Sequence, residues 1–136
     1  MTAKINFSKI KAVFLDAGGT LFQPHPSVGE IYASVAAGHD LYVMPDYIEK
    51  RFHELWAERD GLASLTHSGE KEEKEWWRKL VFDVFSEIGD MNGFDKFFEE
   101  LYDRFACAEV WRLFPDAVPL LQELKNYPVV ELTRKL

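Results

Sequence analysis

The period of apolar and polar positions changes once, early in the chain. Ile10 to Leu15 is an apolar run interrupted by Lys11, rich in β-branched and aromatic residues, and it ends at Asp16, Ala17 and two glycines. Continuous apolar character of this length predicts a strand buried on both faces, as in a parallel sheet. Beyond it the spacing becomes helical. Ser27-Val-Gly-Glu30 has the form of a capping box, and Val28, Ile31, Tyr32, Val35 and Ala36 then trace one helix face. Pro45 or Asp46 opens a second helix, with Ile48, Phe52, Leu55 and Trp56 inward and Gly61 placed as its C-cap. Ser68 precedes a third, whose acidic first turn from Glu70 complements the helix dipole and whose Glu70/Lys74 and Glu75/Lys79 pairs lie one turn apart. Trp77, Leu80, Val81, Val84, Phe85 and Ile88 give it a buried face, and Gly89 ends it. Phe94, Phe97, Phe98, Leu101, Tyr102 and Phe105 repeat the rhythm in a fourth helix. Aromatic stripes at this spacing predict core. Pro115 and Asp116 open a fifth helix, faced by Ala117, Leu120, Leu121 and Leu124 and stopped by Pro128, and Val129 to Leu132 begins a second strand.

Five helices with one or two strands are out of balance, because a parallel sheet alternates with helices on both its faces. The chain is therefore either an unusual helical protein or the front part of a longer α/β fold. Its 136 residues suit one ordinary domain, and 47% hydrophobic content supports a core. A net charge of −7 without a basic stripe argues against nucleic acid as a partner. It is compatible with Mg²⁺ and with a small phosphorylated molecule held by local donors. No apolar stretch approaches the roughly 18 residues of a membrane span, and the N-terminus lacks the order of a secretory signal. These features predict a cytoplasmic protein with no membrane partner. The single cysteine, Cys107, makes no internal disulfide, and its apolar-periodic surroundings predict a buried, inert thiol. His25, His39, His53 and His67 show no metal-ligand spacing, so surface or loop positions are expected.

The candidate chemistry sits in Asp16-Ala-Gly-Gly-Thr20. Open α/β sheets bind ligands at the carboxyl ends of their strands, and a carboxylate placed there can act as a nucleophile toward a target held in line. Gly18 and Gly19 lack side chains that would keep an anionic group away from the backbone, and Thr20 can fix the loop through its hydroxyl. The plain alternative is a strand followed by a glycine turn, with Asp16 as turn-former.

Strand-Asp-x-x-Gly-Thr-Leu at this position resembles the first motif of the haloacid dehalogenase-like (HAD) hydrolases. Trp111-x-Leu-Phe-Pro-Asp-Ala-x-x-Leu-Leu-x-x-Leu-Lys125 resembles the segment that leads those proteins from their cap back into the core. The resemblance implies an α/β fold in which residues 1–22 and 113–136 form part of a Rossmann-like core and residues 23–112 an inserted helical cap of the C1 type. It implies Asp16 as nucleophile, Asp16 and the Gly18 carbonyl as Mg²⁺ ligands, and Gly18, Gly19 and Thr20 as the phosphate-binding turn. The implied activity is Mg²⁺-dependent phosphatase action on a small-molecule substrate through an aspartyl-phosphate.

Two departures qualify the resemblance. HAD phosphatases carry a second aspartate two residues after the nucleophile, and Gly18 stands there. A 2-haloacid dehalogenase-type hydrolase, whose halide leaving group needs no proton, thus remains as an alternative. The family's later motifs, a Ser or Thr, a Lys or Arg and further acidic residues, are not placed before Leu136, so a truncated chain with impaired activity is expected. A third alternative is a non-catalytic partner-binding protein, since an incomplete core exposes strand edges and apolar faces through which it can self-associate.

Overall fold

Within residues 6–60, 69–89, 92–126 and 129–132, which the computed structural model describes, the strands are short and the helices carry most of the packing. The chain divides into two units, Met1–Pro24 with Trp111–Leu136, and His25–Val110.

The first unit holds β1 (Val13–Asp16), β2 (Phe22–Pro24), β3 (Trp111–Leu113), α5 (Ala117–Glu123) and β4 (Val129–Leu132). β1 and β4 pair in parallel, with Val13 opposite Val129 and Asp16 opposite Leu132. β2 and β3 form an antiparallel ribbon in which Phe22 faces Leu113 and Pro24 faces Trp111. The edge of the Trp111 ring meets Phe22, with centroids 5.1 Å apart. Ala17, Leu21 and Ala117 make a small buried cluster, with Leu15 and Phe22 packed against it.

The second unit is a ring of four helices, α1 (Val28–Ala37), α2 (Pro45–Glu58), α3 (Glu70–Phe85) and α4 (Phe94–Phe105). Each packs on its neighbours in chain order, and α4 closes back on α1. Tyr32 is its hub, edge-on to Phe52 and Phe105 and stacked on Phe85, with centroids 5.8–6.4 Å apart. Phe52, Trp77, Leu80, Val84, Phe97 and Leu101 complete the buried face, each contributing about 1.5–3 kcal/mol relative to an exposed position. Pairs Arg59–Asp83, Arg51–Glu87, Lys74–Glu99, Arg78–Asp95 and His39–Glu100 run along the helix seams. Such partly exposed pairs add only ~0–1 kcal/mol each and mainly set which seams meet. Among the described residues no helix is long and apolar enough to cross a membrane.

α1 and α2 approach closely at Gly29. A Cβ there would lie 2.3 Å from the Pro45 carbonyl oxygen, and the Gly29 N–H donates to Glu49 Oε2 at 2.5 Å. Glu49 thus caps the start of α1 from the neighbouring helix, beside Ser27, whose Oγ accepts from the Glu30 N–H at 3.0 Å.

Several expectations are corrected. β1 begins at Val13, and Phe14 is 66% exposed rather than buried on both faces, because packing reaches only the alternate side of this strand. Two strands, β2 and β3, went unanticipated. α3 ends at Phe85, and Ile88 follows in a turn where its N–H donates to the Phe85 carbonyl. α5 begins at Ala117, with Pro115 and Asp116 spent on the preceding turn, and Leu120 is exposed. Lys74 pairs with Glu99 across a seam and sits over the Tyr102 ring instead of pairing with Glu70. Cys107 is exposed, because α4 stops at Phe105 and its periodicity does not reach the thiol. Gly61, His67, Ser68 and Pro128 lie outside the described residues.

Gly29→Ala should destabilise the chain by about 1–3 kcal/mol, since the added methyl meets backbone, and chemical denaturation reads this directly. Burial, reinforced by the Glu49 carboxylate, raises the Tyr32 hydroxyl above its ordinary 10.0. The unfolded chain loses this proton first, so stability is insensitive to Tyr32 below about pH 10 and falls as pH rises further. Urea unfolding on either side of about pH 10 should show a smaller loss in Tyr32→Phe than in the parent chain.

Candidate active site

Asp16 is the last residue of β1, and the strand's alternation leaves it exposed next to half-buried Leu15. The chain then turns sharply. The Ala17 carbonyl accepts the N–H groups of Thr20, Leu21 and Phe22 at 3.1, 2.8 and 3.3 Å, and the Gly19 N–H donates to the Phe22 carbonyl at 2.8 Å. Gly19 takes φ +80, a left-handed conformation that glycine adopts without a Cβ penalty. Ala17 and Leu21 turn inward, fully and nearly fully buried, while Asp16 and Thr20 stay outside. The turn therefore points its apolar side chains at Ala117 and its polar ones at solvent.

Thr20 Oγ1 donates to Asp16 Oδ2 at 3.2 Å, which orients the carboxylate without neutralising it. Among the described residues Asp16 enters no ion pair. An exposed, hydrogen-bonded and unneutralised carboxylate is available for nucleophilic attack or for a cation.

Asp16, Gly18, Gly19 and Thr20 thus come together in one turn. The amides of Gly19 and Thr20 are used within it and the Thr20 hydroxyl is given to Asp16, so among the described residues the Gly18 amide is the donor that the turn does not itself consume. Gly18 meets Phe22 as an isolated bridge, which ties the position two residues past Asp16 to the start of the ribbon. Among the described residues no three His, Cys, Asp or Glu side chains converge on a possible metal position. A hard cation here would draw on Asp16, a backbone carbonyl such as that of Gly18, water and substrate oxygens. That donor set suits Mg²⁺, which commonly takes one or two carboxylates and keeps several waters.

Of the histidines, His39 pairs with Glu100 at 2.7 Å and His53 with Glu49 at 3.0 Å. His25 belongs to the helical unit, where its N–H donates to the Val110 carbonyl at 2.7 Å. Motif reasoning missed Trp111 and Ala117 as supports of the turn, together with the Phe114 N–H, which donates to the Leu21 carbonyl at 2.9 Å. These partners are remote in sequence, and no local pattern announces them.

The chain is 29% identical over 135 residues to haloacid dehalogenase-like hydrolase domain-containing protein 3 of Danio rerio, covering 93% of this chain and 56% of that protein. It is 26% identical over 121 residues to the Homo sapiens protein of the same name, covering 87% and 48%. The chain spans about half the length of these curated relatives. The family model for haloacid dehalogenase-like hydrolases matches residues 10–135, taking in β1, the Asp16 turn, all five helices and β4. With a carboxylate at the end of a parallel strand and a glycine turn after it, this chain belongs to the haloacid dehalogenase-like hydrolase family.

Proposed function

We propose that Asp16 is the nucleophile of a phosphatase that acts on small phosphorylated metabolites. The observation that carries this reading is the Asp16 carboxylate itself, exposed at the carboxyl end of β1, oriented by Thr20 at 3.2 Å and free of any ion pair among the described residues. An Asp16 oxygen attacks phosphorus, the P–O bond to the leaving alcohol breaks, and the alkoxide takes a proton from solvent. Water then attacks the aspartyl-phosphate, releasing inorganic phosphate and restoring the carboxylate. Thr20 holds the carboxylate in one orientation through both steps. Asp16 and the Gly18 carbonyl would hold Mg²⁺, which when bound supplies charge neutralisation at the phosphoryl oxygens.

Gly18 limits the chemistry. The resemblance puts a proton-transferring aspartate at this position, and general acid–base catalysis is commonly worth about 10²–10⁴-fold. Substrates whose leaving groups need no proton are therefore favoured, such as aryl or acyl phosphates. The same observation favours a second reading, displacement of halide from a 2-haloacid by Asp16, in which the leaving group departs as a stable anion.

Asp16→Asn should abolish Mg²⁺-dependent phosphate release from p-nitrophenyl phosphate, and acid-quenched mass spectrometry of the parent chain should find phosphate on Asp16. Metal-independent chloride release from 2-chloropropionate, lost in Asp16→Asn, would overturn the phosphatase reading in favour of the second. Gly18→Asp should raise the rate on an alkyl phosphate by roughly 10²-fold or more while changing the p-nitrophenyl phosphate rate much less. Equal gains on both substrates would remove Gly18 as the cause of the selectivity.

A further inference from the structure

The helical unit carries four arginines, and three are committed to carboxylates, Arg51 to Glu54 and Glu87, Arg59 to Asp83 and Arg78 to Asp95. Arg104, in the last turn of α4, enters no ion pair among the described residues. It lines a groove of about 400 Å³ that runs along the first turns of α1 and is closed off by the turn at Ala108–Val110. Glu30, Glu109 and Ser34 line the same groove, and its apolar floor is Ile31 and Val110, each 6% exposed. Among the described residues neither glutamate is in an ion pair. Opposite charges that share a concavity normally close on one another. Here the guanidinium and the two carboxylates stay more than an ion-pair distance apart, so both signs are displayed across an open space with apolar surface between them. The groove's framework is fixed, because the His25 N–H is bonded to the Val110 carbonyl at 2.7 Å and Ser27 caps α1. Its size lies within the usual range for small-ligand pockets of about 300–1,000 Å³.

We infer that this groove binds a small zwitterion of the amino-acid type. Its anionic group is taken by the Arg104 guanidinium, which suits a carboxylate bidentately, with the Ser34 hydroxyl as a second donor. Its ammonium is taken by Glu30 and Glu109, and the short aliphatic stretch between the charges covers Ile31 and Val110. One cation against two carboxylates disfavours a dianion such as phosphate, which separates this site in chemistry from the turn at Asp16. The site makes no demand on the reaction at Asp16, and its test does not pass through it.

Calorimetric titration of the 136-residue chain with glycine, β-alanine and 4-aminobutyrate tests the assignment. One of the three should bind saturably, the preferred length reporting the spacing of the charges. Propionate and propylamine should each bind at least about tenfold more weakly than it does. Arg104→Gln and Glu109→Gln replace exposed side chains that enter no ion pair among the described residues, and each should weaken binding of the preferred zwitterion about tenfold or more with the circular dichroism spectrum unchanged. Propionate binding as tightly as the best zwitterion would overturn the proposal. Binding unaltered in both variants, or absence of saturable binding by all three zwitterions, would overturn it as well.

Discussion

The Ala17 carbonyl is the acceptor on which the proposed chemistry turns. By taking the N–H groups of Thr20, Leu21 and Phe22 it reverses the chain within a few residues of the strand end, and it does so at a fully buried alanine whose neighbours are Leu21 and Ala117. Buried backbone polar groups must be paired, so a carbonyl held among apolar side chains cannot easily give up its partners. The outward direction of Asp16 and Thr20 is the other face of this arrangement. Alternation along β1 and reversal at Ala17 leave them no inward option. The proposed nucleophile is kept in water's reach by the apolar packing of Ala17 and Leu21 on the other side of the turn.

The two units solve stability differently. The helical ring relies on large aromatic side chains, with Tyr32 contacting three of its helices' rings, and its seams carry ion pairs that contribute recognition more than energy. Among its described residues the strand unit has a small cluster of three buried side chains, and exposes Phe14, Leu113, Val118 and Leu120. Among the described residues the large buried side chains are thus concentrated in the unit that holds no candidate nucleophile, while the unit that holds Asp16 pairs backbone between distant segments.

That contrast explains what was legible in the sequence. The faces of α1 to α4 could be read because each is a local pattern of period 3.6, and Ser27, Pro45 and the acidic start at Glu70 carry start signals within a turn of the observed ends. Asp16 was legible for a similar reason, since a strand, a carboxylate and paired glycines are adjacent in sequence. The ribbon of Phe22–Pro24 with Trp111–Leu113 was not, because strands this short have no period to detect and their stabilisation comes from partners remote in the chain. Cys107 misled for the opposite reason. Its neighbours continue an apolar rhythm that the backbone abandons at Phe105. Arg104 was passed over because an exposed arginine at a helix end is ordinarily a partner of the dipole, and only its company in space distinguishes it.

The hydrogen bond between the His25 N–H and the Val110 carbonyl joins the first and last residues of the helical unit. Its two ends therefore occupy one spot, and α4 packing back on α1 closes the ring between them. Loop-closure entropy grows only slowly with length, so a segment with coincident ends can be lengthened, shortened or exchanged at modest cost to its host. In the vocabulary of protein engineering, residues His25 to Val110 are a cassette, and the paired strands flanking them are the splice.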